Sequence, residues 1–249
     1  MSAQSAGFLR KTASAAISLA ALLASAGGLA GEEGQQECLK DTMIVFDASG
    51  SMGTTDFTAK KPHIERVKQA FRTVVPEIPP ERKMGLIVYG EGAYNRCDSI
   101  ELRLLPELNA GPIILAEVEK IVPAGRTPLT ESVSNAADIL EYKEKPAIVV
   151  LLTDGEETCG GKPCDLARAL KKNGKDITVH VIGYRNKEAG GLGDVFGARC
   201  LAEETGGLYL PVGSVDELTD ALRKTMTCPL FTRAPEPPQL PKLAQVPRQ

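Results

Sequence analysis

The sequence predicts an α/β fold: a doubly wound, mostly parallel sheet with one antiparallel edge strand and helices on both faces. Three observations predict it. Five short runs, at Thr42–Phe46, Met84–Tyr89, Ala147–Leu152, Ile177–Ile182 and Leu208–Val212, are near-continuously apolar. Strands covered on both faces read this way. Segments with helical periodicity lie between the runs, the β-α-β order that builds parallel sheets. The composition, 43% hydrophobic and 24% charged over 249 residues, suits one globular domain with attachments.

Residues 1–30 contain Arg10 and Lys11, no acids, an Ala/Leu/Ile-rich run from Ala13 to Ala26, and then small residues. This is the layout of a secretory signal peptide, with cleavage after Ala26 or Ala30. Left uncleaved, the segment would act as a membrane anchor, although its apolar run is short for a span. Nothing later in the chain is apolar enough to cross a bilayer. The expected location is therefore periplasmic or secreted. Without residues 1–30 the chain has 27 basic and 32 acidic residues, a net charge of −5. That balance, with no basic cluster and no Trp, excludes nucleic acid as the main partner.

The first strand, Thr42–Phe46, ends in Asp47, and Ser49 and Ser51 follow at alternate positions. A carboxylate and two hydroxyls thus share one tight turn beyond the carboxyl end of a buried strand. Short oxygen ligands so arranged suit a hard divalent cation, Mg²⁺ or alternatively Mn²⁺ or Ca²⁺. A first helix follows from Ile64, Val67, Phe71 and Val74 at spacings of three and four. His63 opens it after Pro62 and is expected at the surface. Ile100 to Leu105 predicts an antiparallel strand joined by a hairpin to the one ending at Tyr89. Gly125-Arg126-Thr127-Pro128-Leu129 is a turn entering a helix marked by Val133, Ala136, Ala137 and Leu140. The third core strand ends Leu151-Leu152-Thr153-Asp154-Gly155, and open parallel sheets bind ligands beyond this edge. His180, inside Thr178–Ile182, reads as a sheet histidine. Glu156 and Glu157 read as solvated or supporting residues. Ser214-x-x-Glu217 is a capping box opening the last helix. Residues 229–249 form a Pro-rich tail.

Asp47-x-Ser49-x-Ser51, then Thr127, then Asp154, together with Arg-Thr-Pro-Leu, Thr-Asp-Gly-Glu-Glu and Thr205-Gly206-Gly207, resemble von Willebrand factor A (vWA) domains of bacterial type. The likeness covers about residues 38–228. It implies a metal-ion-dependent adhesion site (MIDAS) in which Ser49 and Ser51 ligate the ion directly and Thr127 and Asp154 do so directly or through water. It also implies a non-enzymatic module that captures an Asp or Glu of a partner protein at the ion. Arg126 departs from the glycine of many relatives, which bears on affinity. A metal-free scaffold is the alternative. A Mg²⁺-dependent phosphatase is a weaker one, since Ser49 stands where such an enzyme needs its acid.

Six cysteines follow the signal segment, an even number in an exported chain, and six permit 15 pairings. Position suggests Cys159–Cys164 around Gly-Gly-Lys-Pro and Cys38–Cys228 at the chain ends. Cys97–Cys200 follows by elimination.

Overall fold

The computed structural model describes residues 40–55, 60–184 and 197–227. The signal-peptide segment, the Cys38–Cys228 pair and the Pro-rich tail lie outside these residues.

Six strands form one sheet: β1 (Asp41–Asp47), β2 (Met84–Tyr89), β3 (Ile100–Glu107), β4 (Pro146–Thr153), β5 (Asp176–Tyr184) and β6 (Tyr209–Val212). Their order is β3-β2-β1-β4-β5-β6. Every pairing is parallel except β2 with β3. The apolar runs thus became strands, and Ile100–Leu105 became the antiparallel edge.

The sheet carries a core on each face, because side chains alternate along every strand. On one face Ile44, Phe46, Val88 and Val150 pack against Val67 and Phe71 of α1 (His63–Val74), Ile114 of α2 (Gly111–Lys120) and Leu218 and Leu222 of α6 (Val215–Met226). On the other, Met43, Val45, Val149 and Val181 pack against Val133 of α3 (Leu129–Ile139), Leu170 of α4 (Pro163–Asn173) and Leu201 of α5 (Arg199–Thr205). At the start of α6 the Ser214 hydroxyl accepts the Glu217 N–H at 3.1 Å. The Glu217 carboxylate reaches back to the Gly213 N–H at 2.7 Å. The capping box formed with its return bond one residue earlier than the motif's usual partner.

Two disulfides lie among the described residues, Cys97–Cys159 and Cys164–Cys200. The expected pairings Cys159–Cys164 and Cys97–Cys200 are therefore corrected. The reason is that Pro163 opens α4 rather than continuing a turn, so Cys164 belongs to a helix packed beside α5, which carries Cys200. Cys159 stays in the loop after β4 and meets Cys97 from the β2–β3 loop. Sequence proximity misled because a proline at the first helical position starts a helix as readily as it closes a loop.

Candidate metal centre

β1 lies between β2 and β4, where the chain reverses its winding direction. The crevice beyond the carboxyl ends of β1 and β4 is the ligand position of such sheets. Asp47 closes β1 and is fully buried. The parallel register pairs Phe46 with Leu152, bringing Thr153 level with Asp47.

Both Asp47 oxygens are committed. Oδ1 accepts the Ser49 N–H at 2.8 Å and Oδ2 accepts the Thr153 hydroxyl at 2.6 Å. The first bond tightens the turn that presents the serines. Ser49 Oγ lies 3.0 Å from Ser51 Oγ, and the Ser51 hydroxyl donates to Asp154 Oδ1 at 2.5 Å. Residues 103 positions apart are thereby joined at the sheet edge.

Thr127 arrives on the loop before α3, which begins at Leu129. That loop is zipped to the β1 turn: Gly50 N–H donates to the Gly125 carbonyl at 2.9 Å, and Ala124 N–H to that of Ala48 at 3.1 Å. A Cβ on Gly155 would stand 3.4 Å from Ser51 Oγ and 3.8 Å from Thr127 Oγ1. The three hydroxyl-bearing segments thus gather around one point. Gly90, at φ +85°, makes the approach possible, because a Cβ there would lie 2.7 Å from both the Arg126 carbonyl and the Ser49 nitrogen.

The loop after β4 supports the arrangement. Thr158 Oγ1 accepts the Thr127 N–H at 2.8 Å, and the Thr158 N–H donates to the Thr127 carbonyl at 3.1 Å. Glu157 accepts from the Thr130 and Cys159 N–H groups, both at 2.7 Å. It sits at the start of α3, where a carboxylate complements the helix dipole. Glu157, read from the sequence as solvated or supporting, supports the loop backbone. The Cys97–Cys159 bond anchors the same loop to the β2–β3 connection. Arg126 donates to the Thr158 carbonyl at 3.0 Å. It lies at the rim of a cleft of about 360 Å³ lined by Ser49, Ser51, Tyr94, Gly125 and Thr127 among others.

His63 was expected at the surface, but its Nδ1–H donates to Asp154 Oδ2 at 2.8 Å, and its side chain is only 15% exposed. No local signal marks this contact, which spans 91 positions. His180 is the sheet histidine expected, with Nδ1 accepting the Leu208 N–H at 3.0 Å.

The electrostatics favour a cation. Burial pushes the Asp47 carboxyl up from 3.8 to about 6, and the negative charge of Asp154 adds to the shift. Hydrogen bonds from Ser49 and Thr153 oppose it. Among the described residues no three His, Cys, Asp or Glu side chains cluster as a metal site. The donors on offer are instead two carboxylates and three hydroxyls, an all-oxygen set suited to Mg²⁺, Mn²⁺ or Ca²⁺.

Comparison with known proteins follows the same lines. Residues 42–157 match the family model of the von Willebrand factor type A domain. The chain is 31% identical over 183 residues to the uncharacterized protein YwmC of Bacillus subtilis (strain 168), covering 68% of this chain and 74% of that protein. It is 27% identical over 190 residues to YwmD of the same organism, covering 73% and 82%. Among solved structures, a von Willebrand factor type A protein from Catenulispora acidiphila superposes with a TM-score of 0.56 at 18% identity, over 75% of this chain and 42% of that one. Proximal thread matrix protein 1 of the mussel byssus, with a zinc-occupied MIDAS motif, gives 0.52 at 19% identity, over 76% and 46%. The chain spans less than half the length of both solved proteins. Their likeness establishes the fold.

Proposed function

This chain belongs to the von Willebrand factor type A family, and on that premise we propose that it is an exported protein-binding module holding a divalent cation, Mg²⁺ first, at the β1–β4 edge. The observation that carries this reading is the contact of Ser51 with Asp154 at 2.5 Å and with Ser49 at 3.0 Å beside a second, buried carboxylate. Ser49, Ser51, Thr127 and Asp154 would hold the ion. Asp47 would act behind them, at the buried end of β1, by holding the turn and supplying charge. When bound, the ion supplies an electrophilic position open to one carboxylate oxygen from outside.

Two carboxylates neutralise the dication without over-neutralising it, so its open position still takes an anionic oxygen, and the partner is a protein presenting Asp or Glu. Arg126 at the rim adds to that attraction. Ser49 stands where a Mg²⁺-dependent phosphatase needs its acid, which supports a binding role over hydrolysis. Two disulfides support an oxidising compartment. Among the described residues no helix is long and apolar enough to cross a membrane. Within this reading, residues 1–30 are the leader, 38–228 the domain and 229–249 the tail.

Thermal unfolding in EDTA against millimolar Mg²⁺ tests the reading. The melting temperature rises with Mg²⁺ in the wild type, by about 2.7 kcal/mol of added stability at one hundred times Kd. In Ser51→Ala the rise is lost. A wild type indifferent to Mg²⁺, Mn²⁺ and Ca²⁺ would establish the metal-free scaffold instead.

A further inference from the structure

We propose that His63 is a positioning residue that sets ion choice: by holding Oδ2 of Asp154 it limits that carboxylate to one-oxygen ligation and so favours Mg²⁺ over Ca²⁺. The inference rests on the cation-binding reading above.

A carboxylate only accepts, so the 2.8 Å contact requires the hydrogen on Nδ1. The Asp154 side chain is 1% exposed, and its other oxygen receives the Ser51 hydroxyl at 2.5 Å. Its plane is therefore fixed from both sides.

The imidazole is itself braced. It meets the Tyr184 ring edge to face, with centroids 5.3 Å apart and planes at 83°. Tyr184 ends β5 and is 1% exposed. The Arg66 guanidinium lies 5.3 Å from the same tyrosine ring, and Arg66 Nη2 donates to the Gly213 carbonyl at 3.3 Å. The His63 N–H donates to the Thr54 carbonyl at 3.0 Å, tying the start of α1 to the turn that carries Ser51. Ring and backbone are both anchored, so the imidazole holds Asp154 in one orientation.

The two ions differ in what they ask of a carboxylate. Ca²⁺ takes six to eight oxygens and commonly uses both oxygens of one carboxylate, whereas Mg²⁺ keeps six near-octahedral ligands at shorter distances. Holding Oδ2 on the braced imidazole costs the carboxylate its freedom to turn both oxygens onto one ion. That loss falls on Ca²⁺ and spares Mg²⁺.

Calorimetric titration of Mg²⁺ and of Ca²⁺ into the full chain tests the proposal in wild type, His63→Phe, His63→Gln and His63→Asn. In His63→Phe the affinity ratio shifts about tenfold toward Ca²⁺, the usual lower bound for losing a supporting partner of a metal ligand. His63→Gln, whose amide reaches past the Nδ1 position, shows the same direction of change if the phenylalanine variant does not fold. His63→Asn, whose amide nitrogen lies near the Nδ1 position, restores the wild-type ratio. An unchanged ratio in the folded variants overturns the proposal while leaving cation binding intact. So does a nitrogen coupling to bound Mn²⁺ in pulsed electron paramagnetic resonance, which would make His63 a ligand. A wild type that binds neither ion overturns both readings.

Discussion

The two ends of the sheet handle charge in opposite ways. At the amino end, the buried Arg82 donates to the Thr42 hydroxyl at 3.2 and 3.1 Å. It also donates to the carbonyls of Met226 at 3.0 Å and Thr225 at 3.3 Å, in the last turn of α6. Its cation therefore meets the negative end of a helix and a hydroxyl, and that end is closed. At the carboxyl end, burial and the negative charge of Asp154 raise the proton affinity of Asp47. The first arrangement is complete in itself, whereas the second keeps negative charge in surplus. A fold can thus confine its stabilising polar bonds to one edge and its ligand chemistry to the other.

The comparison makes a sharp demand. Changes in the loops around Ser51 should alter metal binding as well as stability, and changes away from them should alter stability alone. The largest effect is expected from the double variant Cys97→Ser/Cys159→Ser. The bridge closes a separation of 62 residues, worth about 4 kcal/mol in the chain-entropy account. Urea denaturation should read that loss. Mg²⁺ affinity should fall too, because the bridge anchors the loop whose Thr158 holds Thr127; unchanged affinity would break the comparison at this end.

Arg82→Met comes next, at about 3 kcal/mol, since buried carbonyls lose a charged donor. Mg²⁺ affinity of the folded fraction should stay at the wild-type value.

Asp47→Asn should separate the two properties. Metal-free, Asp47 has a folded pKa near 6 and an unfolded value of 3.8. Between these values the folded chain holds more protons, so the stability contributed by this group is full below pH 3.8 and lost as pH rises through about 6. The asparagine variant should therefore be more stable than metal-free wild type at pH 7, by no more than about 3 kcal/mol. It should also lack that pH dependence and bind Mg²⁺ poorly. In the wild type, Mg²⁺ affinity should climb with pH across the same window, as proton and cation compete. The smallest effect is Ser214→Ala, about 1 kcal/mol from the lost cap of α6, with no change in Mg²⁺ affinity.

What could be read in the sequence follows from how local each signal is. The runs 84–89 and 147–152 announced buried strands because both faces are covered, a property of the residues themselves. Asp47, Ser49 and Ser51 were visible for the same reason, all on one turn. Thr127 and Asp154 joined the set through the resemblance to vWA domains, and the contacts around Ser51 and Gly155 bring them to the same edge. Three helices were not singled out. The one at 111–120 keeps just Gly111, Ile114 and Val118 buried, and the one at 163–173 just Ala167 and Leu170. The one at 199–205 is seven residues long. The Cys97–Cys159 pairing, the His63–Asp154 contact and the Arg82 anchor depend on which distant segments meet. No periodicity or spacing encodes that.

Gly90 draws one further consequence from the crowded edge. With 2.7 Å left to the nearest backbone atoms on two loops, even alanine would act as a wedge between the serine turn and the segment bearing Thr127. The donor set would spread while every proposed ligand remained in the chain. A sequence could thus carry all five site residues and still fail to grip an ion, for want of the vacancy that one hydrogen leaves beside them.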